Sequence, residues 1–573
     1  MKKVWKQGAA LAASVSALGL LLAGCGANTG SNTANSSANT ASQKPQMGGN
    51  ITVDLTQAVP DLDPAVAYDT TSAEVDEQLY EPLVTYQKNT YNIVGDLAQS
   101  YEVSSDGLTY TFHIRKGVTY WNGDSVKAQD FVDEFERVLN PKLQPKPSPG
   151  SSFFLDIQGA QQFFDGKAKT ISGITTPDDN TLVVKLVKPQ AFFLQILAMP
   201  FISAVDPKFV SQVGNAALDT SKAMGTGPFQ LVSNGQDKVV LKRNPHYWQK
   251  DQYGNQLPYL NQVTFSINNN EQVDAMHWEQ GSTAFMTPWT IGGDGIPTSS
   301  FPTIMNNPKF SKLVQKQPLN TIQYVGLNVS KTLNGKANPL SNVLVRQAME
   351  YAFDDQQIVK LNNNAVLPLN QPLPQGMQGY VKQLDPDATY SLNITKAKQL
   401  LKQAGFANGL TIDMYDQNTP DAVKVDQALQ SMMQQIGIKV NLHETTWKDF
   451  LSKVMTGTDQ MFVSGWQQDF PDPSDFLNTL LNSNQRPQNN LTMYDNPQVD
   501  AWLNQAQYST DQSKRNELYA KVTNQVMKDA TWIPLYQVEG YYGVQSWVHG
   551  FYTSPVMYDP FQYIWIDQSH SSN

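Results

Sequence analysis

Between Ile394 and Val463 the chain repeats one pattern, helix then strand, three times over, and this run narrows the possible folds more than any other feature. Ile394 to Ala404 places Ala397, Leu400, Leu401 and Ala404 on one face and stops at Gly405. Leu410 to Tyr415 reads as a strand. Asp421 caps a helix carrying Val425, Leu429, Met432, Met433 and Ile436, which Gly437 ends, and Ile438 to Leu442 is the next strand. A helix around Phe450 to Met455 returns the chain to Met461-Phe462-Val463. Strand, helix and strand in this order predict a right-handed β-α-β unit and an α/β fold.

The third strand leads into the stretch that organises the functional argument, Val463 to Leu477. The strand is expected to break at Gly465, and Trp466 and Asp469 then lie in a loop that Pro471 and Pro473 keep out of helix. An aromatic ring three residues from a carboxylate, past the carboxyl end of a sheet strand, sits where α/β folds hold ligands. The plainer alternative is an Asp that starts a turn and a Trp that fills a core. These residues alone leave both open.

At 573 residues the chain is too long for one core, so two or three domains are expected. Only 16% of residues are charged, and 41 basic against 51 acidic side chains give a net charge of −10. No basic stripe is present, which excludes a nucleic-acid binder. Lys2, Lys3 and Lys6 precede the apolar run Ala9 to Ala23, and Leu22-Ala23-Gly24-Cys25 follows. The run is short for a membrane helix and ends in small residues, as signal peptides do. Its ending resembles a bacterial lipobox, which implies cleavage before Cys25 and a diacylglycerol on that thiol. Cys25 is the only cysteine, so neither a disulfide nor a thiolate metal ligand is expected. Asn28 to Gln46 is too poor in apolar side chains to fold and reads as a tether.

Earlier in the body, Ile51 to Leu55 reads as a strand. Thr71 to Val84 reads as a helix with Val75, Leu79 and Leu83 along one stripe. Leu108 to Arg115 alternates as a half-buried strand, and Asp130 opens a helix bearing Phe131, Phe135, Val138 and Leu139. Gly225-Thr-Gly-Pro-Phe229 is a turn; no Lys-Ser/Thr follows, so it is no phosphate loop. The six histidines (His113, His246, His277, His443, His549, His570) are scattered, and no pair of them has helical metal-ligand spacing. With no nucleophile elbow, zinc-protease motif or Walker loop either, no enzyme, cofactor or metal is expected.

Leu108 to Phe131, with Tyr120-Trp121-Asn122-Gly123-Asp124 inside it, resembles the signature of the peptide/nickel family (family 5) of extracellular solute-binding proteins of ABC importers. Gly225 to Phe229, Arg243-Asn-Pro-His-Tyr-Trp248, Val345 to Asp354, Ala397 to Gly405 and Trp547 to Phe551 extend the likeness in family order. Val126 to Val132, the Gly465-Trp466-x-x-Asp469 loop and the Trp547 segment are most similar to the oligopeptide-binding branch. The resemblance implies a two-lobed, hinged periplasmic-binding-protein type II fold with an extra inserted domain. In this chain that means a signal peptide (1–24), a lipidated tether (25–46) and a discontinuous lobe I (47–81, 206–324 and 535–573). The extra domain II would span 82–205 and lobe III 325–534.

By the same resemblance Asp469 pairs with a peptide α-ammonium, Gly465 to Gln467 pair with the peptide backbone, and Trp466 walls the pocket. Some relatives hold the peptide carboxylate with a basic group after the strand corresponding to Leu410–Tyr415. Here only Lys424 is offered, which puts fixed-length recognition in doubt. The implied partners are an oligopeptide, an ABC permease and ATPase, and a membrane reached through the lipid, with the protein a monomer on the outer face. Within the same fold, an oligosaccharide or chelated metal is the competing ligand. A peptide sensor or chaperone without transport, and a secreted hydrolase, are the competing classes.

Overall fold

The computed structural model describes residues 44–293, 295–554 and 558–570. The signal segment, Cys25 and most of the tether lie outside these residues. No helix among the described residues is long and apolar enough to cross a membrane. Pro45 onward forms one compact unit built on three main sheets.

In the first sheet the spatial order is Asn50–Leu55, Gln262–Ile267, Lys238–Arg243, Phe229–Asn234, parallel at the first pair and antiparallel after it. Ile51, Val53, Leu55, Val239, Leu241, Val263 and Phe265 face one core, as alternation requires. A second four-stranded sheet runs Ala98–Val103, Thr109–Ile114, Thr181–Lys185, Ile174–Asp178. Tyr110, Phe112 and Ile114 point from it into a separate core with Phe131, Phe135 and Val138 of the helix Ala128–Val138. That helix begins two residues before Asp130. Asp130 is its third residue and accepts the Lys127 N–H at 2.9 Å, the one half of a capping box that a Lys at the N-cap allows.

The third sheet has seven strands. Its spine is a pair of long antiparallel strands, Val314–Leu327 and Trp532–Val544. At one end of the pair, Leu319, Val538, Tyr542 and Val544 pack into the core of the first sheet. At the other end, Val325, Leu327, Ile533 and Leu535 lie in the core beneath the helices Ile394–Gln403 and Pro420–Gln435. The register shifts twice between, from Pro318 to Ile322 and from Gln323 to Tyr324. These strands thus join two cores and slip in pairing where they pass between them. Gly326 sits under the Phe462 ring, where a Cβ would approach within 2.1 Å.

The β-α-β unit is present: Leu410–Gln417 and Ile438–Thr445 are parallel neighbours, joined by Pro420–Gln435. Three further local expectations differ. Thr419, rather than Asp421, caps that helix, because its hydroxyl accepts the Ala422 N–H and Pro420 fills the first position. The helix expected over 71–84 is Thr70–Leu79; the apolar stripe divides, Val75 and Leu79 entering one core and Leu83 another. Finally, the strand Met461–Gln467 continues through Gly465. A Cβ there would come within 2.8 Å of the Ile322 carbonyl, so close strand packing requires the glycine.

Candidate functional site

The strand Met461–Gln467 is paired along one side with Val314–Leu327, from Leu327 opposite Met461 to Thr321 opposite Gln467. On its other side the parallel partner Leu410–Gln417 matches only Met461 and Phe462. Residues 463–467 therefore have a partner strand on one side only. The open side borders two cavities, of about 460 Å³ and about 390 Å³, both lined by Gly465, Trp466 and Gln467. A third cavity of about 810 Å³ shares Trp466 and Asp469. Trp466 lines all three.

Asp469 follows this strand by two residues. Its Oδ2 accepts the Tyr68 hydroxyl at 2.5 Å, from a segment 401 positions away in sequence. The Asp469 backbone N–H donates to Asp475 Oδ2 at 2.9 Å, and the Trp466 indole N–H reaches the same oxygen at 3.4 Å. Asp475, only 1% exposed in the first turn of the helix Pro473–Leu481, thus ties the aromatic ring and the carboxylate into one loop. Phe470 fixes the loop from the far side. It stacks on Phe192 at 5.1 Å and meets Phe153 edge-on at 6.2 Å, entering the core of the Ala98–Lys185 sheet.

Asp469 is half-buried and Tyr68 is exposed, and both face cavities that open to solvent. Burial raises the Asp469 carboxyl to about 6, against the pull of the Tyr68 hydrogen bond, and burial chiefly raises the Tyr68 phenol. Glu77, lining the same cavity, is raised by burial to about 8. Asp416, in the second cavity, is raised by burial to about 6. Asp69 and Asp156 add further carboxyls. Among the described residues no Lys, Arg or His lines any of the three cavities. The lining is acidic and aromatic, suited to a ligand with a desolvated cation and flat or extended polar parts.

Of the residues selected from sequence, Gly465, Trp466, Gln467 and Asp469 are brought together. Lys424 is not: its ammonium pairs with Asp421 Oδ1 at 2.6 Å, and Asp421 and Ala422 line the cavity in its place. Tyr68, Glu77 and Asp475 were missed. Tyr68 and Glu77 reach the site only through the tertiary fold, and no local pattern marks them.

A family model, bacterial extracellular solute-binding proteins, family 5, matches residues 92–488, more than half of the chain. The chain belongs to this family. Heme-binding protein A of Haemophilus influenzae is 28% identical over 510 residues, covering 86% of this chain and 87% of that protein. The dipeptide-binding protein of Escherichia coli is 29% identical over 471 residues, covering 79% and 82%. Among solved structures, Haemophilus influenzae OppA in complex with RPPGFSPFR superposes with a TM-score of 0.73 at 25% identity, over 91% of this chain and all of that one. The family 5 protein described here therefore has the α/β binding-protein fold that the motifs imply. In the glycine turn 225–229, Gly227 packs closely on the first helix: a Cβ on it would come within 2.5 Å of the Leu79 backbone.

Proposed function

We propose that this protein captures extended oligopeptides between two closing lobes and delivers them to the permease and ATPase of an ABC importer. It works from the outer face of a cell membrane, held there by a lipid on Cys25, and releases its ligand chemically unchanged. The observation that carries the peptide reading is Asp469, a half-buried carboxylate just past the end of a one-sided strand, in a lining without basic side chains. A peptide α-ammonium supplies the missing positive charge, and a buried ion pair is stable only when its remaining polar atoms are bonded. Tyr68 provides such a bond. The open side of residues 463–467 supports main-chain pairing with an extended ligand, which gives affinity without reading side chains.

One relative is named for heme and another for a dipeptide, so ligand class is the point to test. Heme propionates would set negative charge against Asp69, Asp156 and Asp469, which favours the peptide. The lack of a basic group in the lining also favours peptides of varied length, with the carboxylate end unpaired. Native mass spectrometry of the purified mature chain, followed by gentle denaturation, identifies the co-purified ligand. The expected result is a ladder of short peptide masses; a heme, sugar or metal-chelate mass would overturn the reading.

A further inference from the structure

We propose that Asp54, Asp274 and His277 form a site for one divalent transition-metal cation of the zinc or manganese type, clamping a helix to the edge of the first sheet. The three come from two elements. Asp54 lies on the edge strand Asn50–Leu55, opposite Ser266. Asp274 and His277, three residues apart, share one side of the helix Glu271–Gln280. One potential ligand atom from each lies within 4.8 Å of the other two. Donors about 2.0–2.2 Å from a tetrahedral zinc ion stand about 3.3–3.6 Å apart, so the three ligand atoms would draw together by side-chain rotation on binding.

Two features point to a cation rather than to a chance acidic cluster. First, Asp54 and Asp274 are 3% and 1% exposed, and Asp54 Oδ1 and Asp274 Oδ2 lack a well-formed hydrogen bond, with only Ser266 and the facing carboxyl near Asp54 besides His277. Like charges buried together are costly unless a proton or cation stands between them. His277 Nδ1 already contacts Asp54 Oδ2 at 2.8 Å, and one ring N–H cannot serve both carboxylates. Second, the surroundings are built for ligation. Asn268 Nδ2 donates to the other Asp274 oxygen at 2.9 Å, which fixes that carboxylate's orientation. The His277 side chain is 35% exposed and provides the route from solvent. One imidazole with two carboxylates suits zinc or manganese better than calcium or magnesium. On binding, the ring nitrogen that faces Asp54 gives up its proton to solvent and donates its lone pair to the metal.

The test is isothermal titration of the chelator-stripped mature chain with zinc chloride and separately manganese chloride, with metal content and melting temperature read in parallel. Wild type should take up one equivalent of metal and melt at higher temperature. His277→Gln and Asp274→Asn should each weaken uptake at least tenfold and abolish the rise in melting temperature. Uptake of manganese in place of zinc, with the same losses, would support the site and name its metal. Absence of uptake would overturn the proposal, and so would equal uptake by His277→Gln, which would place the cation elsewhere. None of the three residues lines the Asp469 cavities, so peptide binding by both variants should be unchanged.

Discussion

At the scale of single residues, the central group is the Asp469 carboxyl, held near 6 by burial and steadied by Tyr68. An ammonium beside it requires the ionised form, so peptide affinity should fall as pH drops through about 6. The carboxyl's effect on the ligand-free protein has the opposite sign. Its folded pKa lies above its ordinary value, so its contribution to stability is complete below about 4 and is lost as pH rises through about 6. Calorimetric titration across this range checks the first sign, and melting of the ligand-free protein checks the second. Asp469→Asn keeps the shape and removes the charge; it should weaken peptide binding about 30-fold or more, the usual cost of unpairing one member of a buried charge pair. Asp469 and Trp466 could be singled out in the sequence because they lie three apart at a strand end, but the spacing alone left a turn and a core filler equally open, and only the family resemblance gave them roles. Tyr68 could not be singled out, because its role depends on a contact between segments distant in sequence.

At the scale of elements, the α/β run from Ile394 was readable because its apolar faces repeat with helical or strand period and its glycines mark the ends. The continuation of Met461–Gln467 past Gly465 was hidden. Sequence treats a glycine there as a break, whereas its cause lies in the neighbouring strand, at the Ile322 carbonyl. The divided stripe of Val75, Leu79 and Leu83 has the same origin, since periodicity cannot tell which of two cores a side chain enters. The loop after the strand carries a further consequence. Phe470 links the Asp469 loop to Phe192 and Phe153 of the other core, so under the proposed lobe closure it should act as an apolar latch. Phe470→Ala should speed peptide release and change association little, because truncating a packed contact acts chiefly on dissociation. Stopped-flow dissociation reads this directly; an unchanged release rate would remove the latch.

For the whole molecule, buried carboxyls set the pH response. Asp96, Asp219, Asp459 and Asp559 are raised to about 7, Glu77 to about 8 and Asp426 to about 9, burial being the first cause for each. Each binds its proton more tightly folded than unfolded. Together they stabilise the fold below the ordinary carboxyl range and lose that contribution as pH rises through about 7 to 9. The melting temperature should therefore be higher at about pH 5.5 than at about pH 8.5; the reverse order would show that these groups are better solvated than the fold implies. At the other end of the chain, Cys25→Ser should release the protein from the membrane or leave an unprocessed precursor. Fractionation that finds it membrane-bound and of mature size would remove the lipid anchor. The central claim remains the pairing of Asp469 with a peptide α-ammonium, and the direct measurement compares short alanine oligomers with their N-acetylated forms by calorimetric titration at about pH 7. The free amines should bind and acetylation should weaken them about 30-fold or more. Equal binding of the two forms would contradict the account.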